Sequence, residues 1–268
     1  MEPKNADWSG MGIGQCHGPK RLLQDSGQER QSYEQPKQND IIPSKRNPLK
    51  EEQRLAFKLS NSTIAGAILF IGGLQWLIIV MAAETLFPGY GTRANDLSDL
   101  ASTVLPNTSP VQPSAVMFNA TTFLFGLLVL ISAFLIYRAR GDRLFSALFA
   151  IFGAAAMGVG VFPGDTGLIH GLAALITFVT ASLSAIAAYR LETRPFAYIS
   201  VVIGIFSLIV LLFAFLAGES SPFWLVFGRG GEERLVAYPV VLWIIGFGGY
   251  LMGTSSTNRA EPTKTKHL

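Results

Sequence analysis

The sequence predicts an all-α, polytopic membrane protein: a six-helix transmembrane bundle with both termini cytoplasmic. Three observations predict it. Six apolar stretches free of charge follow one another after residue 60, each near the roughly 20 residues that cross about 30 Å of hydrocarbon. Only 15% of the 268 residues are charged, against about 25% in an ordinary soluble domain. Lys and Arg, finally, are distributed unevenly between the two sets of connecting segments.

The charge deficit belongs to one part of the chain. Residues 1–60 hold 10 Lys/Arg and 8 Asp/Glu, which leaves 21 charges among the following 208 residues. That is too little polar surface to keep a soluble domain dispersed, so a simple soluble enzyme is excluded. Mean hydropathy is +0.38. The net charge of +3 does not indicate nucleic acid, because the basic residues flank several spans and form no single stripe. Cys16 is the one cysteine, so neither an intramolecular disulfide nor a thiolate metal cluster is available.

Residues 1 to about 45 are rich in Gln, Gly, Pro, Lys, Asp and Glu and lack a period, which reads as a disordered cytoplasmic tail. Asn47 and Pro48 then suit the start of a short amphipathic juxtamembrane helix, or equally a helical lead-in to the first span. The tail region is taken as 1–58, the membrane domain as 59–256 and a second tail as 257–268. No apolar stretch precedes residue 62, so the first span is expected to direct insertion itself.

The spans are expected at 63–83, 114–137, 144–162, 166–189, 195–218 and 235–254. Long, continuously apolar runs indicate helices, because barrel strands alternate over about ten residues. Placing both termini, 138–143 and 190–194 on one side collects 18 of the 21 Lys/Arg; the other side keeps Arg93, Arg229 and Arg234. By the positive-inside rule the first side is cytoplasmic. The outer face then carries seven acidic residues, Glu84, Asp96, Asp99, Asp165, Glu219, Glu232 and Glu233. Small residues four apart, at Ala154 and Gly158, Ala156 and Gly160, and Gly249 and Gly253, are expected to let helices approach closely.

Ionisable groups at a bundle mouth are costly to bury and so are candidates for function. His170 is the only histidine outside the tails and lies about one turn inside the fourth span. Asp165 and Thr166, in Phe162-Pro163-Gly164-Asp165-Thr166-Gly167, are placed to cap that span. Asp165 is alternatively a site residue, reaching His170 only through a non-helical cap, since five residues turn a helix by about 500°. The segment 95–105 places Leu97, Leu100, Ala101, Val104 and Leu105 at helical spacing, which predicts a short amphipathic helix with Asp96 and Asp99 on one side. Those two carboxylates are either a solvated face or site groups. Glu84 ends the first span, Gln75 and Trp76 lie deeper, and Trp76 is expected to face protein. Asn119 sits near the outer end of the second span, and Arg234 is expected to pair with an outer carboxylate.

The candidate catalytic set is His170, Asp165, Asp99 and Glu84, with Asp96, Asn119 and Arg234 as candidate substrate contacts. Capping and snorkelling account for several of them without any site. No P-loop, His-x-x-x-His pair, Gly-x-Ser-x-Gly elbow or Arg-rich voltage helix is present, and the sequence names neither a cofactor nor a metal. Asn107-Thr108-Ser109 matches a glycosylation sequon of low specificity. Phe87-Pro88-Gly89 and Phe162-Pro163-Gly164 echo each other after odd spans.

Asn95-Asp96-Leu97-Ser98-Asp99-Leu100, Gln112-Pro113, Phe162-Pro163-Gly164-Asp165 leading to His170, and Arg234-Leu235-Val236-Ala237-Tyr238-Pro239 together resemble a mainly archaeal and bacterial family, domain of unknown function 998. The resemblance spans about residues 60–253. It implies a six-helix membrane fold and supplies no activity. The functional readings are therefore a membrane enzyme acting on a lipid or isoprenoid at the extracytoplasmic face, a transporter or receptor for a small molecule or ion, and a non-catalytic scaffold. Membrane lipids are the expected partners, with a cytoplasmic partner for the N-terminal tail in the scaffold reading.

Overall fold

The computed structural model describes residues 60–103 and 109–257. They form six long helices: α1 (Asn61–Leu86), α2 (Ser114–Arg140), α3 (Arg143–Val161), α4 (Leu168–Ala187), α5 (Phe196–Ala217) and α6 (Pro222–Thr257). All six are long and apolar enough to cross a membrane, and no strand occurs among the described residues. The chain is a multi-pass membrane protein. The expected juxtamembrane helix near residue 47 lies outside the described residues.

Each helix packs against the next in the chain, and α6 returns to pack on α1, so the bundle is an up-and-down ring. Ser60, 141–142 and 188–195 lie at one end, called proximal here, with the close of α6. Residues 87–103, 109–113, 162–167 and 218–221 lie at the other, distal end.

Local chemistry sets the turns. Ser60 Oγ accepts from the Thr63 N–H at 3.1 Å and starts α1. Between α2 and α3, Gly141 takes φ +72°, and Asp142 caps α3 by accepting from the Phe145 N–H at 2.9 Å. Arg190 from the next proximal turn donates to the same carboxylate at 2.8 Å. These bonds hold the Asp142 carboxyl below its usual range, the Phe145 N–H contributing most.

Glycine decides where backbones touch. A Cβ on Gly66 would come within 2.5 Å of the Gly248 carbonyl oxygen, and one on Gly126 would stand equally close to that of Gly153. These are the α1–α6 and α2–α3 contacts. The expected Gly249 and Gly253 pair is not among them: a Cβ at either would meet nothing within 4 Å. Gly248, one residue earlier, faces α1 instead, so the pair points elsewhere. On α3 Gly160 does press on α2, at Phe123 and Asn119, whereas Ala154 is exposed.

The middle of the ring is filled by rings. Phe145 and Phe149 of α3 reach across to Trp243 and Phe247 of α6, with centroids 5.5 Å apart for Phe145 and Phe247 and 6.3 Å for Phe149 and Trp243, while Phe152 meets Phe125 of α2 edge-on at 5.9 Å. Such pairs contribute about 0.5–1.5 kcal/mol each beyond the area they bury. Between α1 and α2 the deep polar groups pair with each other. Trp76, 6% exposed and facing protein as expected, donates Nε1–H to Thr122 Oγ1 at 3.1 Å, and Thr121 donates to Gln75 at 2.6 Å.

Candidate functional site

The distal loop after α1 is held together by its own side chains. Gly91 N–H donates to Asn95 Oδ1 at 3.1 Å, the Tyr90 hydroxyl donates to the Asp96 carbonyl at 2.8 Å, and Asp99 Oδ2 accepts from the Asp96 N–H at 3.0 Å. Because the Asp99 carboxylate takes the Asp96 N–H and the Asn95 side-chain amide, the chain after Leu97 makes one 3₁₀ turn, Ser98–Ala101, and not the amphipathic α-helix its spacing predicts. The apolar side of that prediction stands, since Leu97, Leu100 and Ala101 are buried. Val104, Leu105 and Asn107 lie outside the described residues.

Arg234 fastens this loop to α6. Its guanidinium donates to Glu84 and to the Tyr90 hydroxyl, each at 2.6 Å, and to the carbonyls of Thr92, Asn95 and Gly230 at 3.0, 3.0 and 2.7 Å. The expected pairing of Arg234 with an outer carboxylate is thus with Glu84. Burial raises the Tyr90 hydroxyl above its ordinary range. Gly228, at φ +78°, breaks α6, and Arg93 donates to the Val226 and Leu225 carbonyls that the break releases.

The turn between α3 and α4 closes from the opposite side. Gly164 presses on the Ser102 side chain so closely that no Cβ fits between them. Asp165 does not cap α4. Gly167 occupies the cap position at φ +60° without a side-chain bond, and both Asp165 oxygens accept from Thr103 of the other loop. Thr166 likewise turns back, its hydroxyl donating to the Pro163 carbonyl at 2.7 Å.

Between these loops lies a polar chamber of about 640 Å³, walled by Asp96, Asp99, Asp165, His170, Arg229 and Glu233 together with Ser98, Ser102 and Thr103. Below it, toward the middle of the bundle, an apolar pocket of about 70 Å³ is lined by Trp76, Phe118, Phe125, Phe152, Phe178 and Val240 among others. Ser98, His170, Ala174 and Glu233 line both spaces. The pocket follows one face of α4 from His170 through Ala174 and Thr177 to Ala181, about 16 Å along the helix axis.

His170 is 9% exposed. Its Nδ1–H donates to the Phe162 carbonyl at 2.7 Å, and Nε2 is left without a hydrogen-bond partner among the described residues. Arg229 reaches into the chamber and pairs with Asp96 at 2.5 Å, with Asp99 at 3.7 Å. Burial raises the Asp96 carboxyl above its usual range and the Asp99 charge adds to this, while Arg229 opposes it. Glu233 accepts from the Leu97 N–H.

Of the expected site residues, the structure gathers His170, Asp165, Asp99 and Asp96 around one space. It places Glu84 and Arg234 against each other outside that space, and Asn119 at the α2–α3 contact beside Gly160. Arg229 and Glu233 complete the wall and stand outside the expected set, although Glu233, Ala237, Val240 and Val241 fall on one helical face whose polar first member was the available signal. At the proximal end the reading also misses Glu192. Its carboxyl is buried with both oxygens unpartnered, and burial pushes it up to about 7, with Ser200 and Trp243 pulling the other way. Among the described residues no group of three or more His, Cys, Asp or Glu is arranged to hold a metal ion.

A family model described as Protein of unknown function (DUF998) matches residues 70–250, more than half of the chain. No curated protein matches, and no solved structure does.

Proposed function

The chain belongs to the DUF998 family of proteins of unknown function, and from that premise we propose that it is an enzyme of the cell membrane acting on a lipid or isoprenoid. One observation carries this reading: a polar chamber with an available imidazole nitrogen opens onto an apolar pocket, and the histidine lines both. A substrate with a polar head and an apolar tail would meet His170 where the two halves join. In that position Nε2 serves as general base, with the Nδ1–H held by the Phe162 carbonyl fixing the tautomer. Asp99 and Asp165 shape the chamber around the head group, and Asp96 contributes a carboxylate to it. The Lys/Arg asymmetry supports placing this distal end outside the cytoplasm. Transport has less support, because Gln75, the deep polar group of the spans, is paired with Thr121.

The test is the lipid profile of a strain lacking the protein and complemented with wild type, His170→Ala or Asp99→Asn. A profile like that of the deletion strain is expected for both variants. A wild-type profile from His170→Ala at equal protein level removes the enzyme reading.

A further inference from the structure

The sign of the chamber narrows the chemistry of its ligand, an argument that rests on the proposal that an amphiphile binds there. Four carboxyl groups line the space, those of Asp96, Asp99, Asp165 and Glu233, against one guanidinium, that of Arg229. The neighbouring cations are turned away and occupied. Arg234 donates to Glu84, Tyr90 and three carbonyls, and Arg93 donates to the carbonyls of Val226 and Leu225. A phosphate entering this space would face acidic groups, with the one guanidinium there already paired to Asp96.

Asp96 and Asp99 already demonstrate what they hold. The Arg229 head lies 2.5 Å from one and 3.7 Å from the other at the tip of a side chain that is 49% exposed. A cation carried by a flexible, half-exposed stem is cheaply displaced by a second cation. The acidic groups do not stand alone as an indication of a ligand. His170, nine-tenths buried, lines the same space, its Nε2 has no hydrogen-bond partner among the described residues, and the apolar pocket continues from it.

We propose that the chamber receives the protonated amine of an amphiphile, which displaces Arg229 from Asp96 and Asp99 while the first carbons of the apolar chain run past His170 into the pocket beneath. The ligand class is thus a long-chain amine or an amine-bearing lipid, and not a lipid phosphate.

The experiment uses the full chain in maltoside micelles with three probes of one chain length, n-decylamine, decyl phosphate and n-decanol, binding being read from thermal unfolding and tryptophan fluorescence. Decylamine is expected to bind about tenfold more tightly than decanol, as a charge-assisted contact provides, and decyl phosphate more weakly than either. Asp96→Asn, whose side chain bonds only Arg229 among the described residues, should reduce the amine preference and leave decanol unchanged. Arg229→Gln should tighten decylamine several-fold by removing its competitor. Equal or tighter binding of decyl phosphate overturns the proposal, as does an amine preference that survives both Asp96→Asn and Asp99→Asn. If decanol binds as tightly as decylamine, the amine is overturned and the amphiphile reading stands. If none of the three binds, both fall.

Discussion

Asp165 holds Thr103 by three hydrogen bonds. Its Oδ1 and Oδ2 accept from the Thr103 N–H at 2.9 and 3.0 Å, and Oδ2 also accepts from the Thr103 hydroxyl at 2.8 Å. The contact joins the α3–α4 turn to the loop after α1 across the rim of the chamber. Asp165→Ala should release the loop and cost roughly 1 kcal/mol, below the usual range for bonds to a charged group because this one is exposed. Limited proteolysis of the 102–113 segment is the measurement; cleavage at the wild-type rate would show that the clasp does not hold the rim.

Two glycines of α6 should respond oppositely to one added methyl group. At Gly228 an alanine meets φ +78° and the backbone of Arg93, so Gly228→Ala is expected to destabilise by about 2 kcal/mol or more. At Gly249 a Cβ finds open space, and Gly249→Ala should be neutral or stabilising by up to about 1 kcal/mol. Unfolding in graded sodium dodecyl sulfate measures both, and an equal loss for the two variants would refute the assigned break.

Ala174 lines chamber and pocket alike. Ala174→Leu places three further carbons at the junction and should close it, with little change in stability because the space is already there. Ligands with a decyl chain are then expected to lose affinity at least tenfold while methylamine binds as before. Equal losses for both would mean that the two spaces are not used together.

Glu192 makes stability depend on pH at the proximal end. Its carboxyl titrates at about 7 in the folded chain against an ordinary 4.5, so the folded form holds a proton that the unfolded chain has released. Stability therefore falls as pH rises from about 4.5 to 7 and levels off above that, the fall amounting to roughly 2 kcal/mol after allowance for partial exposure. Glu192→Gln should flatten this dependence and be the more stable protein at pH 8. Thermal unfolding of both proteins between pH 5 and 8 decides it, and parallel curves would reject the assignment.

The spans were legible because hydrocarbon thickness imposes a length and an aversion to charge that any single chain displays. Chemistry at the mouth was partly legible for the same reason. Charges are so few that His170, Asp99, Asp165 and Asp96 could be singled out, and all four line one chamber. What failed to show was direction. Asp165 precedes a helix and so reads as its cap, yet its partner lies 62 residues away, a distance that no local spacing encodes. Gly249 and Gly253 have the right separation for close packing but the wrong azimuth, which only the neighbouring helix defines. Glu192 reads as one more residue of a charged turn, because the side chains that act on it, Ser200 and Trp243, belong to two other helices.

The contact of Gly66 with Gly248 joins the first helix of the bundle to the last, and both begin or end at the proximal end. The order of the six described helices around the ring is thus cyclic. Residues 60 and 257 belong to adjacent helices, so a short polar linker can join them and new termini can be opened in the 141–142 turn. Such a circular permutant should keep its chamber intact, since every residue of the chamber wall lies at the opposite end.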